Sequence, residues 1–234
     1  MTARTKFFVF VLLVLTSSFL YAMQYTPQEL DEWFYDDSDA EASEVNEGRL
    51  VFLETPPETT VHHHFNLLSL SKNSLVDGWV GLKQCHEDID ETGRVEVVFK
   101  EERIRNLRVV SFKGIEKAWV EGASVQLANI RKGARLCITA ESRSLFSNGN
   151  GNYVLRTGPF MRKFLDGFYP MRVTMNVTFD KSLLEFGTIS PKAQKGFNVS
   201  QSDNMLHIDT WFKGVLETRI VFHTTHQNST TTTP

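Results

Sequence analysis

Histidines are concentrated in one segment of the chain, with the spacing of metal ligands on a strand. Four of the seven lie within residues 60–88, TVHHHFNLLSLSKNSLVDGWVGLKQCHED. In an extended strand alternate residues point to one face about 7 Å apart, so His62 and His64 form a pair and His63 points away. The apolar residues of the segment share the face of His63: Val61, Phe65 and Leu67. We therefore expect His62 and His64 to point outward from the core.

A third histidine would complete a zinc site. Catalytic zinc usually takes three protein ligands, and a pair on one strand supplies two. His86 supplies the third if the strand at 75–86 pairs with the strand at 61–71. The competing interpretation is that outward-pointing histidines are ordinary surface residues and that no cofactor is bound. Zinc held by His62, His64 and His86 is thus the alternative hypothesis.

The N-terminus has the pattern of an export signal. Arg4 and Lys6 form a short basic region, and a mostly apolar run follows at residues 7–20. Ala22 is a small residue suited to the position before a cleavage site, which predicts a signal peptide over residues 1–22. The alternative is a signal retained as an anchor, but the apolar run is shorter than the ~20 residues of a spanning helix.

Charge divides the rest of the chain into an acidic arm and a mildly basic body. Residues 23–48 carry nine acidic side chains and no basic one. Thr26-Pro27 with Glu29 predicts a short helix there, followed by a disordered acidic linker. From residue 49 onward the chain has 23 of its 25 basic residues and 19 of its 28 acidic ones, so this part has a net charge of +4. This excess is too small to indicate nucleic-acid binding.

The two cysteines, Cys85 and Cys137, are expected to form one disulfide. An exported chain matures in an oxidising compartment, where two cysteines normally pair. A catalytic pair of Cys85 with His86 is disfavoured, because neighbouring residues of a strand point to opposite faces.

Patterning predicts an all-β fold of antiparallel sandwich type. About a dozen short runs rich in β-branched and aromatic residues follow residue 49, separated by turn sequences. In residues 171–180, Val173, Met175, Val177 and Phe179 alternate with polar residues, as in a half-buried strand.

We divide this region into two sandwich halves, residues 49–146 with the disulfide and residues 147–223. The boundary is the turn sequence SNGNGN at 147–152, which indicates a hairpin or a domain junction. One continuous large sandwich is the alternative. Residues 224–234 form a Thr-rich polar tail, expected to be disordered.

One segment departs from the β pattern. In GPFMRKFLDGFYPM (158–171), three phenylalanines recur every fourth residue, which predicts a short helix over 159–169. Aromatic residues beside cations are typical of interfaces, so this segment is also the candidate interaction surface. Its members are Phe160, Arg162, Phe164, Phe168, Tyr169 and Arg172. The competing interpretation is that the phenylalanines pack between the two β halves.

No other sequence motif in the chain indicates an enzymatic activity. The sequence contains no G-x-S-x-G, P-loop, dinucleotide fingerprint or H-E-x-x-H motif. In CHEDIDETG (85–93), Phe99 stands where a calcium-binding EF-hand loop requires glutamate, so we interpret the segment as an acidic turn. Glycosylation sequons at Asn176, Asn198 and Asn228 would matter only in a eukaryotic secretory pathway.

Three stretches together resemble exported proteins of unknown function from Gram-negative bacteria. They are SLVDGWVGLKQCHEDID, GASVQLANI and GPFMRKFLDGFYPMRV, and the resemblance spans residues 60–223. It implies a periplasmic or cell-envelope location and supplies no activity, cofactor or site residue.

The sequence thus favours an exported, non-enzymatic β-sandwich protein that binds a partner in the envelope or outside the cell. No transmembrane span is expected in the mature chain. The alternative is a metal-binding protein or zinc-dependent hydrolase using the three histidines.

Overall fold

The computed structural model describes residues 48–225, and these form an all-β fold. The predicted signal peptide, the acidic arm before Gly48 and the tail beyond Thr225 lie outside the described residues. Fifteen strands and one short helix make up the described chain. The strands are β1 (Val51–Leu53), β2 (His63–Ser69), β3 (Trp79–Ile89), β4 (Thr92–Val98), β5 (Ile104–Glu121), β6 (Ser124–Arg143), β7 (Leu145–Gly149), β8 (Asn152–Phe160), β9 (Arg162–Phe164), β10 (Gly167–Tyr169), β11 (Met171–Thr178), β12 (Leu184–Ser190), β13 (Phe197–Ser202), β14 (Met205–Lys213) and β15 (Leu216–Thr224).

The remaining elements are short. Helix α1 covers Ser74–Asp77, and a single 3-10 turn covers Glu101–Arg103. Within the described residues no helix is long and apolar enough to cross a membrane.

Nine strands form the largest sheet. Its main path runs β1-β14-β11-β2-β3-β6-β4, with β13 also paired to β14 and β5 to β6. Neighbouring strands are antiparallel except β2 and β11, which are parallel. A second sheet has the order β12-β15-β8-β7, and β9 pairs with β10 alone.

The two larger sheets share one hydrophobic core. Buried residues of the nine-stranded sheet, such as Met175 and Ile208, belong to the same cluster as Leu155 and Phe222 of the four-stranded sheet. This cluster confirms the predicted sandwich type of packing. Along β11 the predicted inner residues Val173, Met175 and Val177 are all fully buried, because alternate side chains of a strand share a face.

The division into halves near residue 147 does not follow the sheets. β2 precedes that point and β11 follows it, yet the two strands pair over seven residues. SNGNGN is a hairpin turn between β7 and β8, with Asn150 at φ 53° flanked by two glycines of positive φ. The turn residues therefore serve a local reversal of the chain and not a junction between separate sheets.

A second, smaller core lies along the long hairpin of β5 and β6. These strands reverse at Gly122, whose φ of 58° suits a glycine. Residues of this cluster include Ile115, Val125 and Leu136. β6 continues from this core into the sandwich, where it pairs with β3.

Candidate functional site

Pairing of β2 with β3 brings the three predicted histidines together. His64 lies directly opposite His86 in the ladder, and His62 is two residues before His64 on the same face. The ring centroids are 4.3 Å apart for His64 and His86, 5.2 Å for His62 and His86, and 6.4 Å for His62 and His64. We call these three residues the histidine cluster.

Hydrogen bonds link two members of the cluster to Gln84. His86 Nδ1 lies 3.1 Å from His62 Nε2, and His86 Nε2 lies 2.7 Å from the Gln84 side-chain nitrogen. An amide nitrogen can only donate, so with this amide orientation His86 accepts at Nε2 and donates from Nδ1 to His62. The relay runs from Gln84 through His86 to His62.

Two buried polar atoms beside this relay have no partner. His64 Nε2 and Asn66 Nδ2 make no hydrogen bond in the described structure. Both side chains are buried, and Asn66 lies opposite Gln84 in the ladder. Buried polar groups are nearly always satisfied in folded proteins, so an unpaired ring nitrogen beside two further imidazoles indicates a place for an additional ligand or water.

The ring of His62 stacks on those of His64 and His86, and the rings of His64 and His86 are tilted against each other. Interplanar angles within the cluster are 2°, 29° and 31°. Accordingly, no group of three or more His, Cys, Asp or Glu side chains in residues 48–225 is arranged to hold a metal ion as it stands.

Burial keeps the imidazoles of the cluster neutral. Desolvation lowers the pKa of His62 to about 4, with Asp90 acting in the opposite direction. Burial and the neighbouring histidines lower the pKa of His64 to about 3 and bring that of His86 well below its usual value. A neutral imidazole has a free ring nitrogen, which is the form that binds metals.

The expectation that His62 and His64 point outward is wrong. His64, Asn66 and Leu68 are the buried residues of β2, while His63, Phe65 and Leu67 are half-buried. The cause is the register with β11, which places Val173 beside His64 and Val177 beside Leu68. The histidine face thereby joins the apolar face of β11, which forms the core of the sandwich.

The predicted disulfide is present on the other face of the same strands. Cys85 lies directly opposite Cys137 on β6, with the Cα atoms 4.1 Å apart, and both residues are buried. His86 and Cys85 are consecutive residues of one strand. Alternation therefore sends the disulfide and the histidine cluster to opposite sides of the sheet.

Residues 158–171 are not helical. They form the end of β8 and the hairpin of β9 and β10, with Tyr169 paired to Arg162 and Gly167 to Phe164. The predicted helix over 159–169 is therefore wrong. A spacing of four residues is two full strand periods as well as about one helical turn, so the phenylalanine pattern does not distinguish the two structures in so short a segment.

This segment contacts the histidine cluster. Phe160 is buried, and its ring meets that of His64 edge-on at 5.0 Å. Arg162 makes two hydrogen bonds to Asp90 in the turn between β3 and β4, and both charges influence His62 electrostatically. The metal candidate and the interaction candidate, unrelated in sequence, are thus neighbours in space.

The end of the hairpin exposes apolar side chains. Phe164 and Tyr169 are 43% and 37% exposed, Met161 is similar, and Leu165 is fully exposed. The Arg162 guanidinium lies over the rings of Phe164 and Tyr169, whereas Lys163 lies over the partly buried ring of Phe168. We call Met161, Phe164, Leu165 and Tyr169 the hairpin surface.

Arg172 belongs to a different polar row, on the face that carries His63. It pairs with Asp209 through two hydrogen bonds and lies over Trp211. The hydroxyl of Thr174 donates to Asp209 and lies 2.9 Å from His63 Nε2. On its other side, His63 Nδ1 lies 3.3 Å from a carboxylate oxygen of Glu87.

This row, which sequence reasoning missed, superficially matches a hydroxyl–histidine–carboxylate triad. Thr174 is buried, however, and its only proton is directed at Asp209 rather than at His63. The row therefore fits a structural network across the sheet. Thr174 and Asp209 face each other in the ladder of β11 and β14. The only sequence feature that could have indicated this polar row is the alternation of its residues with apolar ones along each strand.

No family model and no curated protein matches this chain. Among solved structures, a mutant M1 zinc metallopeptidase from Deinococcus radiodurans, bound to a Tyr-Ser-Ala substrate, is 11% identical with a TM-score of 0.41. A mutant of such an enzyme from the same organism and a two-domain M1 zinc metallopeptidase mutant bound to L-tryptophan are each 12% identical with TM-scores of 0.38. Each alignment covers 70% of this chain and 42% of the metallopeptidase, and likenesses this low assign neither family nor activity.

Proposed function

We propose that this chain is an exported binding protein of the cell envelope, and that it contacts a protein partner through the hairpin surface. The observation that carries the proposal is the joint exposure of Met161, Phe164, Leu165 and Tyr169 on one hairpin. Grouped apolar residues on a protein surface commonly mark an interaction site, since exposing them to water is unfavourable.

The local geometry supports an interface. Arg162 is anchored to Asp90 and lies over two aromatic rings, so it holds the hairpin surface in one arrangement before a partner binds. Side chains that are ordered beforehand lose less conformational entropy on binding. Aromatic and arginine side chains also contribute much of the binding energy at protein interfaces.

Two features support export to an oxidising compartment. Residues 1–22 match a signal peptide, and the disulfide of Cys85 with Cys137 is typical of proteins outside the cytosol. The hydroxyl proton of Thr174 is directed at Asp209, so the row of Thr174, His63 and Glu87 does not supply an activated nucleophile, and the proposed role is binding.

Site-specific crosslinking tests the proposed surface. A photoreactive residue at position 165, introduced in the organism that makes the protein, should give one discrete adduct with an envelope protein. The matched control is position 76, because Val76 is also apolar and highly exposed but lies on α1. Absence of an adduct at 165, or the same adducts at both positions, would overturn the proposal.

A double variant separates contact from folding. Phe164→Ser with Leu165→Ser should abolish an adduct formed from a crosslinker at position 169 and leave the melting temperature almost unchanged, since both side chains are exposed. A variant that unfolds would show that the hairpin stabilises the core instead.

N-terminal sequencing tests the predicted signal peptide. The sequence of the protein from the envelope fraction should begin at Met23 if the signal peptide is removed after Ala22.

A further inference from the structure

The strongest grouping of chemically reactive side chains in the described chain is the histidine cluster beneath the hairpin. We infer that His62, His64 and His86 form a binding site for one borderline transition-metal ion, Zn²⁺ or Cu²⁺. This inference concerns residues distinct from the hairpin surface and does not depend on a protein partner.

Ligand separation supports the inference. Zinc–nitrogen bonds of about 2.0–2.1 Å at a tetrahedral angle place two ligating nitrogens about 3.3–3.4 Å apart. His62 Nε2 and His86 Nδ1 are 3.1 Å apart, close to this separation. To bind one ion, both rings must turn so that each nitrogen points away from the other nitrogen and toward the ion, and His86 must carry its proton on Nε2. In the absence of metal, the same two atoms share a hydrogen bond.

His64 is the third ligand that must move. Its ring is tilted by 31° against that of His86 with centroids 4.3 Å apart, and its Nε2 makes no hydrogen bond to either of the other two rings. Rotation about the bond between Cβ and the ring turns one nitrogen toward the space between the other two rings, and Phe160 borders the same ring edge-on. His64 Nε2 has no hydrogen bond to lose in this rotation, but the polar interactions of the ring with Gln84 and Asn66 would change.

The surroundings suit a metal-binding imidazole. His86 binding through Nδ1 would present its Nε2–H to Gln84, whose amide oxygen would accept after the amide turns over. A second-shell acceptor of this kind fixes the orientation of a ligating histidine. Nitrogen ligands favour copper and zinc over the hard cations magnesium and calcium.

The test is direct metal titration of protein purified without a polyhistidine tag and treated with chelator. Isothermal titration with Zn²⁺ and, separately, Cu²⁺ should give one ion per chain. Co²⁺ should give the visible absorption of a tetrahedral site with nitrogen ligands. At a hundredfold excess over Kd, the ion should raise the melting temperature by about 5–10 °C.

Variants identify the ligands. Gln84→Leu should weaken binding by about 10–100-fold, as expected for a second-shell residue, and His64→Ala should weaken it more. His223→Ala is the matched control, because His223 is exposed on β15 and should leave binding unchanged. If His64→Ala fails to fold, the less buried His62→Ala takes its place. Binding below about one fifth of an ion per chain, or affinity unchanged in both alanine variants, would overturn the inference.

Discussion

The rings of Phe160 and His64 meet edge to face, with the centroids 5.0 Å apart and the planes at 90°. This contact joins the last residue of β8 to the end of the β2–β3 ladder that contains His64 and His86. It brings the strand that leads into the hairpin against the histidine cluster, although Phe160 and His64 are far apart in sequence. Substitutions of Phe160 and His64 are therefore expected to have non-additive effects on stability.

Replacing Phe160 and Phe164 with alanine in turn should show that only Phe160 belongs to the hydrophobic core. Phe160→Ala should lower the free energy of unfolding by about 3–5 kcal/mol, the usual cost of removing a buried aromatic ring. Phe164→Ala should cost about 0.5 kcal/mol, because that ring lies at the surface and is 43% exposed. Urea unfolding followed by tryptophan fluorescence measures both. Equal costs would indicate the shared helical face that the sequence suggested.

Acid should weaken the fold through the histidine cluster. The pKa of His62 is lowered from 6.5 to about 4 on folding, so below pH 6.5 the unfolded chain takes up a proton that the folded chain does not. Stability should therefore be complete above pH 6.5 and fall as the pH drops toward 4. Through His62 alone, the free energy of unfolding should be about 3 kcal/mol lower at pH 4 than above pH 6.5.

Urea midpoints of metal-free protein at pH 7, 6, 5 and 4 measure this dependence. The variant His62→Gln should show a shallower slope, since its side chain does not titrate. A wild-type midpoint that stays constant down to pH 4 would show that the cluster is accessible to protons in the folded state.

The ion pair of Arg162 with Asp90 should hold the hairpin in place. Arg162 makes two hydrogen bonds to this carboxylate and is mostly buried, so a double-mutant cycle with Arg162→Gln and Asp90→Asn should give a coupling of about 1 kcal/mol. The exposed pair of Lys181 with Asp203 is the control, and its coupling should be close to zero.

Amide exchange provides a second readout of the same ion pair. Hydrogen exchange in residues 162–169 should accelerate in Arg162→Gln and stay unchanged in Lys181→Gln. Unaltered exchange in both variants would show that the β9–β10 ladder alone orders the hairpin.

Removal of the disulfide should destabilise the chain without changing the sheet. The bond closes a loop with a sequence separation of 52, for which the loss of loop entropy predicts about 4 kcal/mol. The double variant Cys85→Ala with Cys137→Val should retain its far-ultraviolet circular dichroism and unfold at lower urea. A loss of strand signal in native buffer would show that the ladder between β3 and β6 requires the covalent bond.

Much of the fold could be predicted from local patterns. Alternation along residues 171–180 identified the inner face of β11, and Asn and Gly residues marked the β7–β8 turn, because side-chain direction and backbone propensity are local properties. The pairing of Cys85 with Cys137 followed from their number and the expected compartment. Export and an envelope partner remain predictions.

The orientation of β2 could not be read from the strand itself. Its two faces are nearly balanced, with Phe65 and Leu67 on one and His64, Asn66 and Leu68 on the other. The parallel register with β11 decides between them, and this pairing joins segments far apart in sequence. Phenylalanines spaced by four residues were similarly compatible with a helix or a strand until the ladder of β9 and β10 formed.

Thus the sequence alone determined the fold class, the disulfide and the three histidines that can share one face. Tertiary structure decided that this face is the buried one, that Phe160 covers His64, and that Arg162 reaches Asp90. The physical reason is that residue periodicity encodes which side chains point together. Which strands become neighbours, and which face they cover, depends on non-local burial of apolar surface across the whole sandwich.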